Sequence, residues 1–213
     1  MYKAGFRWIL VGFESGHPRI LENIQKKATR DENTRCMEIA RRHNLKVKAL
    51  MSVGHPGESK ETIQATRDWL IEVRPDDFDA TVITTYPGTP YFDEALETAP
   101  GIWTYTCPKS QDRLHSVEVD YRHVAEYYKG VPGNYTAFVY TDALTSAQLV
   151  SHRDWLEADV RRTLSIPFNR ANPGLHYEHS MGQSSLPPSI LKISEVAPHR
   201  TSTQMRHIRA SGE

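Results

Sequence analysis

Short apolar runs and helically spaced apolar residues alternate along the first third of this chain. Runs typical of buried strands occur at 8–13, 47–53 and 78–84, and the last is rich in β-branched residues. Helical spacing occurs at about 17–27, 32–43 and 60–73. This order predicts parallel strands joined by right-handed crossovers. Three strands fit part of an open α/β sheet or part of a β/α barrel, and they are too few to close either.

Polar residues ahead of the helical segments predict where the helices begin. Ser15, Asp31 and Ser59 are the expected N-caps of the first three helices, and Thr145 or Ser146 is expected to cap a helix over about 146–163. The residues that we expect to face the core are Ile20, Leu21, Ile24, Met37, Ile39, Ala40, Ile63, Trp69, Leu70, Val73, Leu149, Trp155, Leu156, Val160 and Leu164.

The pattern changes at Pro100-Gly101, where the regular alternation of strands and helices ends. A short helix over about 90–97 precedes this point, and short strands are expected at 104–106, 115–121 and 135–141. We therefore predict an α/β domain over residues 1–100 and an α+β extension over 101–194. Residues 195–213 are rich in polar residues, and we expect a disordered tail there.

Charge and hydropathy narrow the function classes. Lys+Arg and Asp+Glu both number 26, so the chain lacks the general basic surface of a nucleic-acid-binding protein. It contains no run of about 18 apolar residues, so no membrane span is expected. Its first residues carry no apolar segment of signal-peptide length, and a cytoplasmic location is the expectation.

Two cysteines, Cys36 and Cys107, are far apart in the sequence and belong to no Cys-x-x-Cys pair. This count excludes a disulfide framework. It also argues against an iron–sulfur cluster held by this chain, because such clusters take three or four thiolates. We expect Cys36 to be a small helix residue and Cys107 to be a loop residue, and we predict no metal site.

Three loops at the ends of the predicted strands carry the candidate chemistry. They are Gly12-Phe13-Glu14-Ser15-Gly16, Gly54-His55-Pro56-Gly57-Glu58-Ser59 and Tyr86-Pro87-Gly88-Thr89-Pro90-Tyr91. The carboxyl ends of parallel strands are where α/β folds build their sites. Each loop alone is a weak signal, because turns need glycine for their own geometry.

In this order and spacing, the three loops resemble those of the radical S-adenosylmethionine (SAM) superfamily, in the branch that often carries an N-terminal cobalamin-binding domain. The resemblance covers about residues 5–97 and includes Lys26 or Lys27 and Ala28-Thr29 between the first two helices. It implies an α/β fold that is the C-terminal half of a partial (β/α)6 barrel, followed by the α+β extension.

The resemblance assigns the first loop to the sugar and amino-acid parts of SAM. Glu14 and Ser15 would face the ribose and the methionine moiety, where a carboxylate accepts charge-assisted hydrogen bonds. The alternative for Glu14 is an ion pair with an arginine or a contribution to helix capping.

The same resemblance assigns the other two loops to the adenine. His55 either faces this site or is only a turn residue, and the glycines and prolines have turn roles as their alternative. The adenine-side residues that the resemblance implies are Val53, Gly54, Pro56, Tyr86, Pro87 and Gly88.

Family members hold a 4Fe–4S cluster with three cysteines spaced Cys-x-x-x-Cys-x-x-Cys, and they use it to cleave SAM reductively. That motif is absent from this sequence. We therefore expect cluster ligands outside this chain, cobalamin in a preceding domain, a reductant such as flavodoxin or ferredoxin for the full enzyme, and a small-molecule substrate that the sequence does not identify. Between a truncated enzyme and a short protein that has lost catalysis we favour truncation. Whether the chain alone is an enzyme stays open.

Two other function classes remain. One is a non-radical barrel enzyme that binds a phosphate or nucleotide, although no glycine-rich phosphate loop is present. The other is a half-barrel that completes or regulates a cluster-bearing partner chain, with an exposed sheet edge at the first strand. Three residues near the C-terminus have three possible interpretations: a metal site, a lid over the substrate pocket or a surface loop. They are His176, Glu178 and His179, and the surface loop is the favoured interpretation.

Overall fold

The structure of this protein is a computed structural model that describes residues 1–119 and 136–167. The strands are β1 (Trp8–Glu14), β2 (Lys46–Val53), β3 (Asp77–Val82), β4 (Leu96–Ala99), β5 (Ile102–Thr106), β6 (Arg113–Val117) and β7 (Val139–Thr141). The α-helices are α1 (Pro18–Asn23), α2 (Arg30–Arg42), α3 (Lys60–Val73), α4 (Pro90–Asp93) and α5 (Ser146–Leu164).

The first three strands form a parallel sheet in the order β1-β2-β3, which confirms the predicted mixed α/β class with a parallel sheet. Both crossovers advance in the same direction across the sheet, so right-handed connections bring their helices to one face. Phe13 of β1 packs there against Trp69 of α3, with ring centroids 5.2 Å apart.

Side chains of β2 alternate between two environments, as the pleat of a strand requires. On the helix-covered face they are between 0% and 2% exposed: Val47, Ala49, Met51 and Val53. Lys48 and Leu50 alternate with them and point to the opposite face, where Lys48 pairs with Asp77 and Asp79 of β3 at 3.0 Å each. One face of the sheet is therefore an apolar core, and the other carries charged side chains together with Leu50.

The N-caps of α3 and α5 are the residues that the sequence predicted, whereas those of α1 and α2 are different residues. Ser59 and Thr145 accept backbone hydrogen bonds at the helix starts, as predicted. At α2 the cap is Thr29 rather than Asp31, because Thr29 and Glu32 form a reciprocal capping box. Ser15 does not cap α1, since that helix begins at Pro18 with His17 at its N-cap position.

Two predicted helices are shorter than their sequence patterns indicated. The first ends at Asn23 instead of about residue 27, because Gln25 and Lys27 both take left-handed backbone conformations that a helix cannot contain. The helix expected over 90–97 is reduced to Pro90–Asp93, and residues 96–99 instead form β4, which pairs with β5.

Two residues that were expected in the core are exposed instead. Ile39 is 41% and Trp155 is 38% exposed. The buried stripe of α2 runs through Asn33, Met37 and Ala40, and Ile39 lies about 200° around the helix from Met37. In α5, Leu149, Leu156 and Val160 are fully buried, as expected.

A second, antiparallel sheet has the strand order β4-β5-β6-β7. The turn between β5 and β6 packs against the loops at the carboxyl end of the parallel sheet. Its Asp112 accepts hydrogen bonds of 2.8 Å from both Arg19 and Asn23 of α1. A Cβ atom at Gly57 would lie 2.5 Å from the same carboxylate, so the two sheets meet at a position that only glycine fits.

Side chains of α5 bind the outer backbone edge of β3. Arg153 donates to the Ala80 carbonyl at 2.6 Å, and Glu157 accepts from the Ala80 amide at 3.2 Å. Arg161 donates to the Phe78 carbonyl and to Glu157. We call Arg153, Glu157 and Arg161 the edge clamp. These residues take the place of a fourth strand, because they satisfy backbone groups that a neighbouring strand would otherwise pair.

The described elements fall in one compact unit that comprises residues 1–117 and 136–167. The predicted boundary at residue 100 stays a prediction, and residues 168–194 and the expected tail at 195–213 lie outside the described residues. In the part of the chain that the structure describes, no helix combines the length and the apolar character that a membrane crossing needs.

Replacing one clamp arginine should cost far more stability than replacing its exposed neighbour. The side chain of Arg161 is 10% exposed, whereas that of Arg162 is 77% exposed. We expect Arg161→Ala to lower the free energy of unfolding by about 3 kcal/mol, because it removes the buried guanidinium that donates to the Phe78 carbonyl and to Glu157 Oε1. Arg162→Ala should change it by less than about 1 kcal/mol. Urea unfolding of both variants measures the difference, and equal losses would contradict the clamp.

Candidate functional site

Glu14 ends strand β1 in a strained backbone conformation. Its φ is 67°, in the left-handed region that side chains other than glycine seldom adopt. The β1–β2 register slips between Gly12 and Glu14, which is the signature of a β-bulge. Bulges redirect side chains near functional sites, and this one turns the glutamate toward the neighbouring strand.

The carboxylate of Glu14 is held from two sides. Lys26, in the loop after α1, donates to Oε1 at 3.1 Å, and the Ser52 hydroxyl of β2 donates to Oε2 at 2.7 Å. The side chains of Glu14 and Lys26 are 29% and 32% exposed. The pair is therefore accessible to a ligand while its geometry is fixed.

His55 extends this set of hydrogen bonds into the protein. Its Nε2 lies 2.8 Å from the Ser52 hydroxyl, and its Nδ1 lies 3.2 Å from the Tyr91 hydroxyl. Burial lowers the pKa of His55 to about 4, and the nearby Lys26 lowers it as well, against the opposing influence of Glu14. The ring is therefore neutral at physiological pH.

Tyr91, from the third loop, is the last member of this series of hydrogen-bonded side chains. Burial raises its pKa, and the neighbouring Tyr105 and Cys107 act in the same direction. Its ring lies 4.9 Å from that of Tyr105 on β5. Tyr91 thus keeps its proton and acts as a hydrogen-bond donor.

Ser15 lies beside Glu14 in sequence but in a different environment. It is 1% exposed, and its hydroxyl lies 3.0 Å from the Thr66 hydroxyl of α3. It also accepts from the His17 amide at 3.1 Å. These contacts join the first loop to α3, and the predicted ligand role of Ser15 stays a prediction.

The second loop places Val53, Gly54 and Pro56 in the interior. Val53 is 1% exposed, and the Pro56 carbonyl accepts from Asn23 at 2.8 Å. Gly54 has a φ of 93°, and a Cβ atom there would lie 3.3 Å from both Val82 and Val139. Its glycine is needed by backbone conformation and close packing, so the adenine contact that the resemblance implies for these three residues stays a prediction.

Glu58, in the same loop, is a buried carboxyl group. It is 2% exposed, and it accepts from the Gly54 amide at 3.2 Å and from the Thr62 hydroxyl. Burial raises its pKa to about 7, in spite of these hydrogen bonds. Its own carbonyl accepts from the Thr141 hydroxyl of β7 at 2.8 Å, which ties the loop to the second sheet.

The third loop presents Tyr86, Pro87 and Gly88 at the surface. All three are exposed. A hydrogen bond of 3.1 Å from the Thr89 amide to the Tyr86 carbonyl closes the turn. Gly88 has a φ of 86° with open space where a Cβ would be, so a turn requirement alone accounts for the glycine.

Of the predicted residues, the structure brings Glu14 into a polar cluster and leaves the others in packing or turn positions. The cluster members that the sequence assignment did not include are Lys26, Ser52 and Tyr91, and His55 was only an open alternative. Strand alternation could have identified Ser52, because it points away from the helix-covered face. Among residues 1–119 and 136–167, no group of three or more histidine, cysteine or acidic side chains is arranged to hold a metal ion. The His176, Glu178 and His179 group lies outside the described residues.

Comparison with known proteins gives a family match over the first part of the chain. Residues 1–70 match the model of the radical SAM superfamily, which confirms the resemblance seen in the sequence. The bacteriochlorophyllide d C-12(1)-methyltransferase of Chlorobaculum tepidum is 29% identical over 93 residues, which are 43% of this chain and 20% of that protein.

Two further proteins match over longer stretches. A protein of Methanocaldococcus jannaschii whose name proposes a methylthiotransferase is 24% identical over 158 residues, 67% of this chain and 33% of that protein. The structure of the radical SAM methyltransferase TsrM of Kitasatospora setae, with cobalamin and a 4Fe–4S cluster bound, matches with a TM-score of 0.44 and 19% identity over 79% of this chain and 33% of that chain. The chain thus spans a fifth to a third of the length of the curated relatives described here.

Titration of Glu58 should make stability depend on pH. Its folded pKa is about 7 against an ordinary 4.5, so the folded state binds the extra proton in that window. Folding is therefore favoured most below about pH 4.5, and this contribution is lost as the pH rises through 7. Glu58→Gln keeps an oxygen that can accept from the Gly54 amide, and it removes the titratable charge.

Comparing the unmodified chain with Glu58→Gln isolates the contribution of the Glu58 carboxyl group to the pH dependence of stability. Between pH 4.5 and 8 we expect the unfolding free energy of Glu58→Gln to rise by roughly 3 kcal/mol relative to the unmodified chain. Urea unfolding at a series of pH values measures it. Parallel pH profiles for the two proteins would show that Glu58 does not titrate in this window.

Proposed function

We propose that this chain, whose residues 1–70 belong to the radical SAM superfamily, forms the C-terminal half of a SAM-binding barrel. SAM would bind at the carboxyl ends of β1, β2 and β3. The observation that carries this proposal is Glu14, whose strained backbone holds a partly exposed carboxylate at the end of a parallel strand. Local strain of this kind persists where function needs a fixed side chain.

The arrangement of the sheet supports a barrel over a doubly covered open sheet. The helices α2 and α3 lie on one face, and the opposite face carries Lys48 with its partners Asp77 and Asp79. A β/α barrel has helices outside and strand side chains inside, so the polar face is the proposed interior. The edge clamp supports β3 as the last strand of the proposed barrel.

The chemistry of the site suits the polar part of SAM. Glu14 would accept hydrogen bonds from ribose hydroxyls or from the ammonium group, and Lys26 would fix the carboxylate or bind the carboxylate of the methionine moiety. For the adenine, we propose the residues of the second and third loops, Val53, Gly54, Pro56, Tyr86, Pro87 and Gly88. Their engagement in packing and turns gives this part less geometric support than Glu14 has.

The described residues do not fit a 4Fe–4S cluster. Cys107 is 3% exposed, and its thiol lies 3.6 Å from the Asn23 side-chain oxygen. Cys36 lies in α2 and is far from Cys107 in the sequence. When a cluster is bound in a radical SAM enzyme, it supplies the electron that cleaves SAM. We propose that another polypeptide segment holds that cluster, that a flavodoxin- or ferredoxin-type protein reduces it, and that cobalamin, if used, binds outside the described residues.

Methyl or methylthio transfer is the reaction class that we propose for the complete enzyme. Its support is the names of the Chlorobaculum and Methanocaldococcus relatives, which match over parts of this chain. The substrate is a small molecule, and the polar interior face at Lys48 is the surface of this chain that would line its cavity.

A second candidate is a non-catalytic half-barrel that completes a cluster-bearing partner. Within the part of the chain that the structure describes, β1 pairs with β2 alone, and its Trp8 and Leu10 are 44% and 64% exposed. An open edge with apolar side chains is suited to pairing with another strand. A stable complex with a chain that supplies the three-cysteine half, disrupted by Leu10→Lys, would favour this candidate.

Substitutions around Glu14 should weaken SAM binding without unfolding the chain. We expect Glu14→Gln to lower SAM affinity about tenfold, because a charge-assisted acceptor is lost. Gly12→Ala should have a similar effect, since the new Cβ would lie 2.6 Å from Glu14 Oε1 and displace it. Stability should change by less than about 1 kcal/mol, because the displaced group is a flexible side-chain end.

Ligand-observed NMR with millimolar SAM provides the measurement for these variants. Glu22→Gln is the matched control, since Glu22 of α1 is an exposed carboxylate that pairs with Lys109. The control should bind SAM as the unmodified chain does. Absence of binding by the unmodified chain, or unchanged binding by Glu14→Gln, would refute the proposed site.

Anaerobic reconstitution with iron and sulfide tests the assignment of the cluster. With two cysteines, the chain alone should form no 4Fe–4S cluster and release no 5′-deoxyadenosine from SAM. A polypeptide that adds the three-cysteine segment should restore both. Visible absorbance of the 4Fe–4S cluster reports cluster formation, and chromatography of 5′-deoxyadenosine reports SAM cleavage. Cleavage of SAM by the chain alone would overturn the assignment.

A further inference from the structure

The polar cluster around Glu14 has a fixed direction of hydrogen bonding. Glu14 is an acceptor, so the single proton of Ser52 is donated to Glu14 Oε2 at 2.7 Å. The Ser52 oxygen must then accept from His55 Nε2 at 2.8 Å, so this nitrogen carries the ring proton. Nδ1 is left without a proton, and it accepts from the Tyr91 hydroxyl at 3.2 Å.

Each of these donors therefore points toward Glu14. The series runs from Tyr91 through His55 and Ser52 to the carboxylate, and each member has one orientation that satisfies its neighbours. Ser52 is 9% and His55 is 7% exposed, so water has little access to offer alternative partners. Hydrogen bonds of this kind in a buried environment hold their members in one geometry.

We propose that His55 is a positioning residue for Glu14: as the neutral Nε2–H tautomer, it orients the Ser52 hydroxyl, which in turn fixes the carboxylate in its binding position. In this role His55 acts through Ser52, which donates to the carboxylate, and not by its own contact with the ligand. This inference rests on the proposed function for the identity of the ligand, but the positioning itself is a property of the side chains described above.

The turn that carries His55 is built for this contact. Gly54, with a φ of 93°, lets the chain reverse directly after β2, so that His55 folds back toward Ser52 three residues earlier. The ring packs edge-on against Tyr91, with centroids 6.0 Å apart. A residue needed only for the turn would have no reason to present both ring nitrogens to partners.

Two substitutions separate the positioning role from simple packing. His55→Gln can place its amide nitrogen near the position of Nε2 and keep the donor to Ser52. His55→Leu removes that donor while retaining an apolar side chain of related volume. The Glu14 side-chain carboxyl resonance in carbon-13 NMR reports the carboxylate directly, without any ligand.

We expect the Glu14 resonance to shift in His55→Leu and to stay near its original position in His55→Gln. Nitrogen-15 NMR of the His55 ring should show protonated Nε2 and bare Nδ1 in the unmodified chain. A protonated Nδ1, or a Glu14 resonance that does not respond to His55→Leu in a folded protein, would overturn the proposal.

Measuring the affinity for SAM provides a second test of the positioning role. His55→Leu should lower it roughly tenfold, as loss of a residue that orients a binding group does, and His55→Gln should lower it much less. Combined with Glu14→Gln, His55→Leu should cause little further loss, because the two act through one carboxylate. Fully additive losses would contradict positioning.

The two proposals fail differently. If the unmodified chain does not bind SAM while the Glu14 resonance behaves as expected, the proposed function fails and the positioning stands. If SAM binds but the Glu14 resonance does not respond to His55→Leu, the positioning fails and the proposed function stands.

Discussion

The register slip between β1 and β2 is the constraint on which the candidate site depends. It puts Glu14 opposite Met51 instead of continuing the regular pairing, and it requires a left-handed backbone at a residue with a long side chain. Regular pairing past Gly12 would instead put Glu14 opposite Ser52, so the slip sets the direction from which the carboxylate reaches that hydroxyl. Lys26 and Ser52 then hold the carboxylate, and His55 and Tyr91 complete the cluster from the second and third loops.

Periodicity in the sequence was sufficient for the parallel sheet and for most of its helices. The apolar runs correspond to β1, β2 and β3, and α3 is capped by Ser59 and buries the residues that its spacing predicts. The errors arose where a local interaction competed with the pattern. The Thr29–Glu32 capping box displaced Asp31 as the cap, and strand pairing with β5 replaced the end of the helix that Pro90 begins.

The candidate site was predictable only in part, because its geometry depends on a bulge and on contacts between distant segments. Glu14 was found from its place at a strand end and from the family resemblance. Ser52 and Tyr91 were not assigned, since nothing in the sequence reports that a hydroxyl of β2 and a phenol of α4 meet the same histidine. Ser15 shows the reverse case, because its neighbour in sequence is in the cluster while its own hydroxyl is bound to Thr66 of α3.

The edge clamp has a consequence for self-association. Strand-by-strand growth of a sheet into a filament requires two open edges on every unit, one to receive a neighbour and one to offer the next. In the parallel sheet, α5 occupies the β3 edge with buried arginine and glutamate side chains, and only β1 has a free backbone edge among the described strands. Among the described residues, the parallel sheet can therefore be extended by strand pairing only at β1, and it cannot grow past β3.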